Sequence, residues 1–112
     1  MIKAYIQILR PLNMLITLAC IILTSLTFGK FSYQLLPIII VILCLTAFAN
    51  IINDVFDYKV DKLNRPDRPL PSGKINQKSA VILCMLLLII SICTIFFNDF
   101  NFNTKVLIIC IN

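Results

Sequence analysis

The sequence predicts an all-α protein, a polytopic bundle of transmembrane helices, from its composition and the spacing of its charges. Of 112 residues, 60% are hydrophobic and 13% are charged, whereas a soluble domain carries about 25% charged residues. Three stretches of 19, 23 and 20 residues contain no charge at all. A helix of roughly 20 apolar residues crosses a hydrocarbon core about 30 Å thick, and lipid admits only elements that satisfy their own backbone hydrogen bonds. Each stretch therefore predicts one spanning helix.

The first span is expected over about residues 12–28, in the charge-free stretch that follows Arg10. Pro11 kinks or delimits its start, because proline lacks the amide hydrogen that a helix interior needs. Gly29 follows its end, where many helices close with a glycine in the left-handed conformation. Residues 1–11 form an amphipathic segment with basic residues that leads into this span.

The second and third spans are expected over about residues 35–53 and 79–97, and the polar segment 54–78 connects them. Pro37 lies near the start of the second span, where proline is tolerated. A fourth apolar run starts after Lys105 and contains only seven residues. We therefore expect residues 1–112 to be the N-terminal part of a single membrane domain, with three spans and the start of a fourth.

The positive charges are distributed unequally between the two ends of these spans. Eight of the ten lysines and arginines lie before the first span or between the second and third. Because cytoplasmic loops are enriched in lysine and arginine, the N-terminus and segment 54–78 are expected on the cytoplasmic side of the cell membrane. This distribution accounts for the net charge of +5 without a basic patch of the kind that binds nucleic acid, so no nucleic-acid partner is expected.

The cysteines do not indicate a metal site. All five lie in apolar stretches, none shows a CxxC spacing, and the chain has no histidine. Zinc sites require such ligands at such spacings. The cysteines are therefore interpreted as small hydrophobic residues.

A stripe of polar side chains is predicted where the second span enters segment 54–78. At about 100° per residue, Asn50, Asp54, Asp57 and Asp61 fall within about 60° of one another on a helix, with Asn53 at the edge of the same face. Carboxylates three and four residues apart repel one another, and the negative end of the helix dipole disfavours them further. A bound cation removes both penalties. Magnesium is typically held by one or two carboxylates together with substrate phosphates, so a magnesium–phosphate site is favoured over a plain solvated helix end.

The residues that follow supply the opposite charge on a stiff segment. Arg65 and Arg68 lie three residues apart, with Lys62 and Lys74 nearby, and residues 64–73 contain three prolines. Prolines at this density exclude a regular helix, and the planar guanidinium group suits phosphate oxygens. An acidic stripe beside such a loop, at the edge of a membrane, predicts binding of a metal-complexed diphosphate with a hydrocarbon chain attached.

The order of these residues resembles the first signature of the UbiA superfamily of intramembrane prenyltransferases. The matching segments are Asn53-Asp54-x-x-Asp57-x-x-x-Asp61 and Asn64-Arg65-Pro66-x-Arg68-Pro69-Leu70-Pro71-Ser72-Gly73. The sequence of residues 53–69 resembles in particular the branch that makes digeranylgeranylglyceryl phosphate. The segment Arg10-Pro11-Leu12-Asn13 near the N-terminus fits that branch too.

The resemblance implies nine transmembrane helices around a cavity open to lipid, in which magnesium joins a prenyl diphosphate to two aspartate-rich motifs. The catalytic carboxylates that it implies are Asp54, Asp57 and Asp61. The implied metal ligands are these three residues and Asn50. The implied diphosphate contacts are Asn50, Asn53, Lys62, Arg65 and Arg68. The residues assigned to the acceptor side are Arg10 and Asn13.

The implied reaction transfers a prenyl group, such as geranylgeranyl, from its diphosphate to a lipid acceptor such as geranylgeranylglyceryl phosphate. Two alternatives stay open. One is an aromatic acceptor, as in the quinone, haem and chlorophyll branches. The other is a non-catalytic membrane protein that binds prenyl lipids or pairs with a separate half. No second aspartate-rich motif occurs before Asn112, and Asp99 is expected on the outer side, so the 112 residues alone are expected to be inactive. The sequence sets no oligomeric state.

Overall fold

The computed structural model describes residues 1–30 and 32–98, and these residues form helices and turns, which confirms the all-α fold class. The helices are α1 (Ile2–Leu9), α2 (Pro11–Thr27), α3 (Leu35–Phe56), α4 (Tyr58–Asn64) and α5 (Gln77–Phe97). Helix α3 is central, because α5 packs along it and α1, α2 and α4 also contact it.

Helices α3 and α5 are each long and apolar enough to cross a membrane, with mean hydropathies of 2.8 and 3.0. Helices α1 and α2 meet at a bend of 48° and pass the same test together as one broken span. The described helices therefore supply two or three spans, and the bounds of α2, α3 and α5 lie within a few residues of the predicted ones. The start of a fourth span and Asp99 lie outside the described residues.

The bend between α1 and α2 is centred on Arg10. A residue before proline is disfavoured in the α region, and Arg10 adopts the left-handed conformation with φ 53° and ψ 71°. Its backbone N–H donates to the Gln7 carbonyl, and Pro11 occupies the first position of α2, where its missing N–H has no intrahelical partner to lose. A non-glycine residue in this conformation costs roughly 1–2 kcal/mol, so contacts elsewhere must hold Arg10 in place. Pro11 delimits the first long helix, as predicted.

The polar stripe is not one uninterrupted helix, which differs from the prediction. Helix α3 ends at Phe56, Asp57 has φ −80° and ψ 3°, and α4 begins at Tyr58. The Asp57 N–H still donates to Asn53 O at 2.9 Å, and the Asp61 N–H donates to Asp57 O at 2.8 Å. The chain therefore keeps its helical direction while the ψ angle of one residue departs from the helical value of about −42°.

The proline-rich segment 65–76 forms turns instead of a regular helix, as predicted. Two of its apolar side chains, Leu70 and Ile75, are each 3% exposed and join a core cluster with Ile8 of α1 and Ile51 of α3. The Ile75 N–H donates to Pro69 O at 3.1 Å, which closes the segment on itself. These contacts fix the backbone of the segment against the end of the helix bundle.

Candidate functional site

Three polar side chains of the predicted stripe are buried at this end of the bundle. Asn50 and Asp54 of α3 are 8% and 5% exposed, and Asp61 of α4 is 7% exposed. A buried carboxylate is costly unless it is paired and hydrogen-bonded, so the partners of the two aspartates define the chemistry of the site.

Arg68 lies between the two buried carboxylates. Its Nη1 atom donates to Asp61 Oδ2 at 2.6 Å and to Asp54 Oδ1 at 3.3 Å. The neighbouring Leu70 is buried in the core, and Pro66 and Pro69 stiffen the backbone on either side. The segment thus presents the guanidinium group of Arg68 to both aspartates from a fixed backbone.

Arg10, from the bend between α1 and α2, supplies a second positive charge. Its Nη2 atom donates to Asp54 Oδ1, the same oxygen that faces Arg68. The result is a chain of alternating charges in the order Arg10, Asp54, Arg68, Asp61, which we call the charged array. The two arginine side chains stay 31% and 25% exposed, while the aspartate side chains are 7% and 10% exposed. The arginines therefore keep part of their surface open to solvent, whereas the aspartates do not.

Asn50 fastens the bend between α1 and α2 to helix α3. Its Nδ2 atom donates to the Leu9 carbonyl at 3.0 Å, and its Oδ1 atom accepts from Asn13 Nδ2 at 3.4 Å. The Leu9 carbonyl belongs to the last turn of α1, where carbonyls have no intrahelical partner. Asn50 therefore satisfies an orphan acceptor and holds the residue next to Arg10.

The structure brings together six of the residues singled out from the sequence and leaves four apart. The residues brought together are Arg10, Asn13, Asn50, Asp54, Asp61 and Arg68. The four that are left apart have exposed side chains and are Asn53, Asp57, Lys62 and Arg65. Of these, Lys62 has its Nζ atom 5.8 Å from the centre of the Tyr58 ring, within the range of a cation–π contact.

Arg10 and Asn13 contact the aspartate motif, although the sequence assigned them to the acceptor side. Their acceptor role stays a prediction, and the contacts with Asp54 and Asn50 give each a role in the motif itself. Sequence reasoning missed the Leu9 carbonyl and the two core residues that anchor the loop, Leu70 and Ile75. Leu70 and Ile75 lie among prolines and charged residues, without the helical or strand periodicity that indicates a buried face.

Two of the four predicted magnesium ligands, Asp54 and Asp61, share a partner in Arg68. Across residues 1–30 and 32–98, no three carboxylate, thiol or imidazole groups converge on one point, and Asp57 is exposed. Magnesium is typically held by one or two carboxylates, with water and phosphate oxygens completing an octahedron. Asp54 and Asp61 supply two carboxylates that face a single cationic atom, Arg68 Nη1.

Apolar helices long enough to cross a membrane, with buried ion pairs at one end of the bundle, define a helical membrane protein with a charged site. The sequence profile of the UbiA prenyltransferase family matches residues 13–111. The chain belongs to this family.

Relatives from archaea share most of this chain. A digeranylgeranylglyceryl phosphate synthase of Methanothermobacter thermautotrophicus is 39% identical over 74% of the chain and 30% of the relative. Proteins of the same name are 35% identical in Methanosphaera stadtmanae, over 95% of the chain and 39% of the relative, and 40% identical in Methanococcus aeolicus, over 87% and 36%. The chain thus spans about a third of the length of the curated relatives it matches. No solved structure matches.

Proposed function

We propose that this chain forms the diphosphate-binding part of a prenyltransferase that acts in membrane lipid biosynthesis. The proposed reaction moves a prenyl group, such as geranylgeranyl, from its diphosphate to geranylgeranylglyceryl phosphate. The observation that carries the proposal is the buried charged array at the end of an apolar bundle, with Arg68 between Asp54 and Asp61. Anionic and cationic groups are thereby held together where a lipid-soluble diphosphate enters.

The array suits the charge that develops when an allylic diphosphate ionises. Breaking the carbon–oxygen bond places growing negative charge on the leaving diphosphate, and groups that bind this charge stabilise the transition state more than the ground state. Arg10 and Arg68 are partly exposed and can bind such an anion. Lys62 and Arg65, whose side chains are exposed, are proposed as further contacts of the diphosphate. Magnesium, when bound, supplies further positive charge to the leaving group.

The proposed magnesium ligands start from the two buried aspartates. Asp54 and Asp61 direct oxygens at one cation position, and the family signature adds Asp57 and Asn50. Asn50 already has both ends of its amide engaged, so a role as ligand uses the second lone pair of its Oδ1 atom or replaces the hydrogen bond from Asn13. Asn53 is proposed as a diphosphate contact by the same signature.

The names of the matched relatives favour the lipid acceptor over the aromatic one. A radiochemical assay decides between them, with the protein expressed from its complete gene, reconstituted in lipid nanodiscs and supplied with labelled geranylgeranyl diphosphate and Mg²⁺. We expect label to appear in a lipid phosphate product when geranylgeranylglyceryl phosphate is present, and none in 4-hydroxybenzoate. Transfer to the aromatic ring alone would establish the aromatic branch. Binding of the diphosphate with no transfer to either acceptor would establish the non-catalytic alternative.

The proposed orientation places the N-terminus and segment 54–78 in the cytoplasm. In a background without native cysteines, Ser72→Cys and Ser32→Cys introduce thiols at exposed positions on either side of α3. We expect a membrane-impermeant maleimide to label the Ser32→Cys variant on intact cells, and the Ser72→Cys variant only after permeabilisation, because six of the positive charges lie within segment 54–78. The reverse labelling pattern would contradict the orientation.

A further inference from the structure

Arg68 occupies the position that a divalent cation needs in order to join the two buried aspartates. We propose that Arg68 is a displaceable counter-cation: it neutralises Asp54 and Asp61 until a diphosphate arrives, so that metal and diphosphate bind together and metal alone binds weakly. This inference rests on the proposed function. It adds that tight metal binding depends on the diphosphate, and that the side chain of Arg68 sets this dependence.

The guanidinium group of Arg68 and a bridging ion cannot occupy the same space. Arg68 Nη1 lies 2.6 Å from Asp61 Oδ2 and 3.3 Å from Asp54 Oδ1. A magnesium ion holds its oxygen ligands at about 2.0–2.1 Å, so an ion that joins these two carboxylates takes up the space now filled by the guanidinium group. The side chain must leave before the ion binds both aspartates.

The charge balance of the array also opposes a metal ion that arrives alone. The charged array contains two carboxylates and two guanidinium groups, so its formal charges cancel. A divalent cation added alone leaves the array with excess positive charge in a site where both aspartates are more than 90% buried, and like charges in such a site repel strongly. Metal binding without an anion is therefore disfavoured, although the carboxylates are suitable ligands.

A diphosphate allows Arg68 to exchange its partners. A diphosphate offers oxygens that match the guanidinium fork as well as carboxylates do, and its negative charge balances the incoming cation. The backbone of Arg68 is fixed by the buried side chain of Leu70, whereas the Arg68 side chain is 25% exposed. The exchange is therefore a side-chain rotation from the aspartates to the diphosphate, without movement of the loop.

The test measures metal binding directly, by the electron paramagnetic resonance signal of free Mn²⁺ titrated into the nanodisc-reconstituted protein. Each protein is titrated twice, once without a diphosphate and once with a saturating, unreactive prenyl thiolodiphosphate. The Mn²⁺ that the analogue binds by itself is subtracted. We expect the native protein to bind Mn²⁺ at least tenfold more tightly with the analogue. Arg68→Gln is expected to bind Mn²⁺ alone about tenfold more tightly than the native protein does, because one competing charge is gone. Arg68→Lys keeps the charge and is expected to keep weak binding of Mn²⁺ alone.

A matched control removes the same charge from a neighbouring position outside the array. Lys59 is an exposed residue of α4. The Lys59→Gln variant is expected to bind Mn²⁺ without the analogue as tightly as the native protein does. Equal Mn²⁺ affinity of the native protein with and without the analogue would overturn the proposed order of binding and leave the proposed function intact. A native protein that binds neither Mn²⁺ nor the analogue would overturn the proposed function itself. The comparison within the native protein stands even if Arg68→Gln fails to fold.

Discussion

Asp54→Asn is expected to slow prenyl transfer strongly and to destabilise the protein. Asp54 Oδ1 accepts from Arg10 and Arg68, and the substituted amide would leave both arginines without their shared counter-charge. Removal of one partner from a fully buried ion pair lowers the free energy of unfolding by about 3–5 kcal/mol. Because these arginines are partly exposed, we expect a loss of about 1–3 kcal/mol for Asp54→Asn. We expect turnover to fall by at least about 10²–10³-fold, because Asp54 is a proposed ligand of the magnesium that supplies positive charge to the leaving group, and losses of this size are typical when such charge stabilisation is removed. Steady-state kinetics and thermal unfolding in nanodiscs measure the two effects.

Asp57→Asn is the matched comparison, since it removes the same charge three residues further along the chain. Asp57 is exposed, so its substitution is expected to change the free energy of unfolding by less than about 0.5 kcal/mol. The signature assigns catalysis to both residues, and the structure buries only Asp54 of the two. Full turnover in Asp54→Asn would contradict the proposed site. Loss of turnover in Asp57→Asn with unchanged stability would show that Asp57 turns towards the metal when substrate binds.

The helices were predictable because lipid sets a length that charge spacing reveals directly. Helix α3 follows Lys30 and α5 ends just before Asp99, and in each case the uncharged stretch is as long as a hydrocarbon core requires. The bend at Arg10 was predictable too, since proline constrains the residue before it. Both predictions depend on interactions within a few residues of chain.

The contacts of the site depend on which helix faces which, and no local pattern specifies that. Arg10 and Asp54 are 44 residues apart, and Asn13 and Asn50 are 37 apart. Helical periodicity grouped Asp57 with its neighbours, because it assumes 100° for every residue. Helix α3 ends at this point and the Asp57 side chain is exposed, because burial depends on which segments cover a residue and not on its helical angle alone. The sequence therefore indicated the charged residues that the array contains but not how they pair, and their roles in the site stay predictions.

Asn50→Leu is expected to loosen the attachment of the α1–α2 bend to α3. The substitution removes the hydrogen bond to the Leu9 carbonyl and the one from Asn13. Asn13 is exposed and regains water, whereas Leu9 is half-buried, so the main cost is its unsatisfied carbonyl, about 1–3 kcal/mol. Asn53→Leu, one turn along the same helix at an exposed position, is the control and is expected to change stability by less than about 0.5 kcal/mol.

Asn50→Leu also distinguishes a positioning residue from a metal ligand. Leu9 directly precedes Arg10, so if Asn50 acts through Arg10 we expect KM for the prenyl diphosphate to rise about tenfold while kcat changes little. In an Arg10→Gln background the same substitution should then have almost no further effect on KM, because coupled residues are non-additive. Additive effects in the two backgrounds would contradict this coupling. A large loss of Mn²⁺ affinity in Asn50→Leu with the diphosphate analogue present, at unchanged stability, would instead assign Asn50 to the metal, as the family signature implies.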